Sequence, residues 1–79
     1  MTKILIDVRS EEEYEAGHRD GAVNVPMDRI MTGDLGVIGG AAKDTAIECY
    51  CASGARSAMV KNILEKHGYP NVSNLGGME

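Results

Sequence analysis

Apolar and polar positions fall in short blocks along this chain. Lys3 to Val8 (KILIDV) is an apolar run with β-branched members, the pattern of a buried strand, and Asp7 and Arg9 mark its end. Ser10, with Glu13 three residues on, forms a capping box that opens a short helix. The acidic run Glu11-Glu12-Glu13 then sits at the positive helix end, Tyr14 packs inward and Gly17 is the stop. Asp20-Gly21 signals a turn, Ala22 to Val25 a short strand halted by Pro26, and Met27 to Met31 a helical turn or two. Thr32 to Asp44 carries Gly33, Gly36, Gly39 and Gly40 without sustained periodicity and is expected to be a flexible connection.

Thr45 to Tyr50 is the expected central strand. From Ser57 to His67 the residues Ala58, Met59, Val60, Ile63, Leu64 and His67 recur at helical spacing, with Lys61, Asn62, Glu65 and Lys66 on the polar face. Gly68 ends that helix, with Pro70 just beyond. Asn71 to Leu75 is a last short strand, and Gly76-Gly77 is expected to turn away from it. Alternating strands and helices give an α/β fold with a small, mostly parallel sheet flanked by helices. Ligands in such folds sit at the carboxyl ends of strands.

One such end carries Cys51-Ala52-Ser53-Gly54-Ala55-Arg56-Ser57. A cysteine that closes a strand, followed by small residues and then a helix, faces several backbone N–H groups and a helix dipole. Gly54 lets the loop curl, and successive inward amides make an anion nest. Arg56 is the only charged residue there, suited to neutralising a thiolate or holding an oxyanion. Ser53 and Ser57 add hydroxyl donors, and Ser57 is also a plausible N-cap. The expected chemistry is a cysteine nucleophile acting on a small anionic sulfur or oxyanion compound.

Composition narrows this further. Seventy-nine residues make one domain, 1–79. With no Trp, no Phe and three Tyr, aliphatic residues and Met must build the core. A net charge of −4 argues against nucleic acid or an anionic membrane as a partner. No apolar run approaches the roughly 20 residues of a membrane span. The first strand follows Met1 almost at once, so cytoplasmic residence is the expectation, although a processed periplasmic protein would read the same. Two cysteines are too few for a disulfide framework, and a bridge between Cys49 and Cys51 would be strained. Cys49 is expected in the core. A zinc site would have to recruit His18 and His67 from distant places, so neither metal nor cofactor is expected. His18, in a turn with no acid–base partner beside it, is expected to be structural.

Four stretches in order resemble the single-domain rhodaneses, a sulfurtransferase family. They are Asp7-Val8-Arg9 with Glu13-Tyr14, then Gly17-His18 through Gly21-Ala22-Val23-Asn24-Val25-Pro26. Tyr50 to Ser57 follows, and then Gly68-Tyr69, Val72 and Leu75-Gly76-Gly77. The resemblance implies that Cys51 accepts a sulfane sulfur from thiosulfate or a persulfide and passes it to cyanide or a thiol. It also implies that the amides from Ala52 to Ser57 cradle that sulfur, that Arg56 helps to hold an anionic donor, and that Asp7, Arg9 and His18 belong to the scaffold. Six residues from Cys51 to Arg56 inclusive are one fewer than in related phosphatases and arsenate reductases, whose larger ring suits a tetrahedral oxyanion. A non-catalytic sulfur carrier or interaction module is the other reading. Two departures stand out: Arg19 replaces an aliphatic residue, and the sequence ends two residues past Gly77, where relatives continue into a helix. Homodimerisation to cover a sheet face left open there, or a chain trimmed at that end, would each account for the difference.

Overall fold

Residues 3–77 are described by a computed structural model. The opening apolar run forms β1 (Lys3–Asp7), and each later strand joins a sheet around it: β2 (Val23–Asn24), β3 (Ala46–Cys51) and β4 (Val72–Gly77). All neighbours run parallel, in the order β2-β1-β3-β4. The connections carry α1 (Glu11–Glu15), α2 (Met27–Met31) and α3 (Ala55–Lys66). This is the α/β architecture expected. Met78 and Glu79 lie outside the described residues.

Strand alternation sorts the sheet into two faces. Ile6 stands opposite Cys49, and Ile47 opposite Val72. With Val8, these residues form the core against Val60 and Leu64 of α3 and Ile30 of α2. Each fully buried aliphatic side chain contributes about 1.5–3 kcal/mol. On the other face Asp7 and Tyr50 are both fully buried. Arg9 grips the Asp7 carboxylate through Nε (3.0 and 3.1 Å) and Nη2 (2.7 Å) and also donates to the Gly17 carbonyl. The Tyr50 hydroxyl donates to Asp7 at 2.9 Å and accepts from the Arg19 amide. Burial pushes the Asp7 carboxyl up, but the Arg9 and Tyr50 hydrogen bonds outweigh it and hold the group below its ordinary value.

The capping box forms in both directions, Ser10 to Glu13 and back. Tyr14 is half-buried; His18 stacks on it, with centroids 3.7 Å apart, and its hydroxyl reaches the Ala22 carbonyl.

Three expectations need correcting. The Gly-rich segment is not a plain flexible connection. Gly36–Gly40 winds into a 3-10 turn that plants Ile38 in the core, with the Ile38 carbonyl accepting from the Tyr69 hydroxyl. The glycines bend the backbone there, and Ile38, with the partly buried Leu35, docks it against the core. Helix α3 begins at Ala55 rather than Ser57, because Gly54 takes the cap position at φ 95°. Ser57 is therefore not an N-cap; it sits within the first turn, fully buried. Finally, Gly76-Gly77 does not turn away. The register shifts by one residue, so that Cys49 faces Asn74 while Tyr50 faces Gly76 and Cys51 faces Gly77. This bulge leaves Leu75 unpaired and carries β4 alongside the cysteine loop.

Candidate active site

The site grows from the carboxyl end of β3. Cys51 is the strand's last residue, and a three-residue loop leads into α3, a helix of 12 residues whose positive end faces back toward the sulfur. Gly54 donates its amide N–H to Cys51 Sγ at 2.9 Å, and the Ser53 and Ser57 amides lie near enough to favour its anionic form. Ser57 Oγ lies 3.6 Å from the sulfur. Burial pushes the Cys51 thiol up, but these donors outweigh it and hold the pKa below that of an ordinary cysteine. Of the candidates from the sequence, Ser53, Gly54 and Ser57 thus converge on Cys51. The Ala52 and Ala55 amides are not among its partners: Ala52 instead lies against Gly77, and Ala55 opens the helix.

Arg56 lies in the first turn of α3 and points toward α1. Its Nη1 and Nη2 donate to the two carboxylate oxygens of Glu13 at 2.8 and 3.0 Å. Hydrogen bonds from Arg56, and after it from the Ser10 amide, lower the Glu13 pKa to about 2. Beside Arg56 lies a hollow of about 60 Å³, lined also by Val8, Ser10, Pro26, Met27 and Asp28. Cys51 does not line it and has no exposed surface.

Three participants were not legible as such in the sequence. Glu13 was absorbed by its capping role, and nothing local joins it to Arg56, 43 residues away. Asn74 accepts the Ser57 hydroxyl at 2.5 Å and the Gly76 amide at 2.9 Å, and its Nδ2 lies 3.4 Å from the Gly54 carbonyl. Gly77 backs the loop: it pairs with Ser53, and a Cβ placed on it would stand 2.6 Å from the Ala52 oxygen. The Gly-Gly pair was the available signal for that close approach.

Cys49 is core, as expected. Its Sγ lies 3.5 Å from the Ser57 and Ser73 carbonyl oxygens, and burial pushes its thiol up to about 11, leaving it protonated and inert. The His18 contacts are with Tyr14 and stay away from the loop. Among the described residues, no three His, Cys, Asp or Glu side chains are grouped to hold a metal.

This geometry has close parallels. A family model described as "Rhodanese-like domain" matches residues 1–79. The chain is 34% identical over 74 residues to "Thiosulfate sulfurtransferase PspE" of Escherichia coli, covering 94% of this chain and 69% of that protein. It is 32% identical over 73 residues to "Putative sulfur carrier protein YrkF" of Bacillus subtilis, covering 90% of this chain but only 36% of that protein. A solved structure described as "rhodanese with anions from E. coli" superposes with a TM-score of 0.79 at 36% identity, over 98% of this chain and 88% of that one. Since the match runs from the first residue to the last and the folds coincide, the protein belongs to the rhodanese-like domain family.

Proposed function

We propose that the protein is a sulfurtransferase in which Cys51 carries the sulfur as a persulfide. The observation that carries this reading is the Gly54 amide donating to Cys51 Sγ at 2.9 Å, with the Ser57 hydroxyl 3.6 Å from the same sulfur, at the start of α3. Such a cradle favours an anionic sulfur, whether thiolate or persulfide, and needs no general base.

In the first half-reaction the Cys51 thiolate attacks the outer sulfur of thiosulfate. The S–S bond breaks, sulfite leaves with the bonding pair, and Cys51 holds a persulfide. A persulfide donor reacts in the same way and releases a thiolate. In the second half-reaction cyanide or a thiolate attacks the terminal sulfur, leaves as thiocyanate or a new persulfide, and restores the Cys51 thiolate. A sulfur without exposed surface requires the loop from Ala52 to Gly54 to move outward as the donor arrives.

The likeness to a thiosulfate sulfurtransferase supports this chemistry. The buried sulfur and the likeness to a putative sulfur carrier favour a second reading, in which Cys51 takes up sulfur without rapid turnover. The six-residue loop weighs against a phosphatase or arsenate reductase. Intact mass after thiosulfate treatment should rise by one sulfur atom, and Cys51→Ala should abolish both that gain and thiocyanate formation. A gain with no catalytic thiocyanate would select the carrier. Activity surviving in Cys51→Ala would refute both readings.

A further inference from the structure

The two-pronged bond between Arg56 and Glu13 is the geometry in which a guanidinium takes an oxyanion. The cation that a dianionic donor would use is therefore already occupied by the protein's own carboxylate. Neighbouring cations do not replace it. Arg9 is bound to Asp7 and Arg29 to Glu11. Among the described residues Arg19 has no carboxylate partner; it lies 4.8 Å over the Tyr50 ring, on the face opposite the Cys51 side chain, and donates to the Gly77 carbonyl. The hollow beside Arg56 adds Asp28 as its only other charged wall, and Val8, Pro26 and Met27 make the rest largely apolar. Glu13 and Asp28 thus outnumber the one guanidinium between them.

From this we infer that Glu13 is a specificity-determining residue: by filling the Arg56 fork it turns the site away from dianionic thiosulfate and toward organic persulfides of low charge. This rests on the sulfurtransferase reading. Such a donor, reacting as R–S–SH, carries at most one negative charge and so needs the Arg56 fork less than thiosulfate does. The Cys51 thiolate attacks the outer sulfur, the S–S bond breaks, and RS⁻ leaves with the bonding pair. The proton stays on the transferred sulfur, so Cys51 becomes Cys51–S–SH without net oxidation or reduction.

The test compares the wild type with Glu13→Gln, a change that keeps the capping box, since Gln serves there as Glu does. The rate at which Cys51 gains mass is read with thiosulfate and with 2-hydroxyethyl persulfide. Glu13→Gln should speed the thiosulfate reaction on the order of tenfold, the scale of one freed charge-assisted bond, and leave the persulfide rate within about twofold. In the wild type, added salt should speed the reaction of thiosulfate, a dianion, more than that of the persulfide, whose charge is at most one. Calorimetry in a Cys51→Ser background, where no sulfur moves, should show thiosulfate binding tightened by Glu13→Gln to a similar degree. Unchanged or weaker thiosulfate binding, an equal gain with both donors, or an opposite salt response would overturn the proposal. If neither donor loads wild-type Cys51, the sulfurtransferase reading fails, while the binding arm still decides the role of Glu13.

Discussion

The Ser57 hydroxyl and the Asn74 carboxamide oxygen stand 2.5 Å apart, and their bond takes the proton that would otherwise point at Cys51 Sγ, 3.6 Å away. One hydroxyl has one proton to give. Asn74 and Cys51 therefore compete for it across the start of α3.

Removing the competitor should release the hydroxyl to the sulfur, since a thiolate outbids the neutral Gly54 carbonyl at 3.1 Å. Asn74→Ala is expected to lower the Cys51 pKa further and Ser57→Ala to raise it. The double variant should lie close to Ser57→Ala alone, because that hydroxyl is the shortest link from Asn74 to the loop, its contact with the Gly54 carbonyl being 3.4 Å. Alkylation of Cys51 by iodoacetamide across pH gives all three values. A rise in Asn74→Ala, or additive effects in the double variant, would contradict the competition.

The two thiols should leave opposite marks on stability. Folding depresses the Cys51 pKa, so its contribution is lost as pH falls through the folded value and is complete above the unfolded one. The stability difference between wild type and Cys51→Ser should accordingly grow as pH rises through that window. Cys49 has its folded value raised to about 11, so it binds a proton that the unfolded chain has released above about 8.5. Stability should fall across that interval, and Cys49→Ala should flatten the fall. Urea midpoints at a series of pH values test both slopes, independently of any packing loss the substitutions bring.

Asp7 is fully buried with its charge, held by Arg9 and Tyr50. Removing one partner of a buried pair strands the other, so Asp7→Ala should cost about 3–5 kcal/mol. Tyr50→Phe leaves the Arg19 amide without its acceptor and should cost about 1–3 kcal/mol. Because this network lies on the sheet face away from the sulfur, Cys51 alkylation in Tyr50→Phe should proceed at the wild-type rate well below its melting temperature. A slowed reaction would place the network within the site.

What the sequence made legible here was local. The capping box of Ser10 and Glu13, the strand ending at Cys51 and the curl at Gly54 each depend on neighbours within a few residues, so pattern and propensity reach them. The pairing of Glu13 with Arg56 and of Ser57 with Asn74 depends on where parallel strands and their crossovers place distant residues, and no periodicity encodes that. Ser57 shows how a local rule misleads: serine favours caps, but the left-handed backbone just before the helix selects glycine and moves the helix start upstream. Ile38 was hidden for a related reason. Glycine-rich composition suggests freedom, whereas the buried Ile38, the half-buried Leu35 and the Tyr69 bond to the Ile38 carbonyl hold the segment to the core.

Gly77 offers a test of whether close packing behind the loop sets its chemistry. Its φ is not left-handed, so alanine meets no backbone penalty, and the obstacle is steric alone. A Cβ there would stand 2.6 Å from the Ala52 oxygen and 3.5 Å from the Ser53 Cα, so either β4 or the loop must give way. Overpacking of this kind costs about 1–3 kcal/mol. If the loop yields, the Gly54 amide shifts off Cys51 Sγ and the thiol returns toward its ordinary value. Gly77→Ala is therefore expected to lower Tm and to slow Cys51 alkylation at mildly acidic pH. Gly40→Ala is the matched control, because no atom lies within 4 Å of its Cβ position and its φ is not positive; it should change neither quantity. If Gly77→Ala lowers Tm with the alkylation profile unmoved, β4 has yielded instead, and the cradle is held by α3 and its glycine cap without support from the last strand.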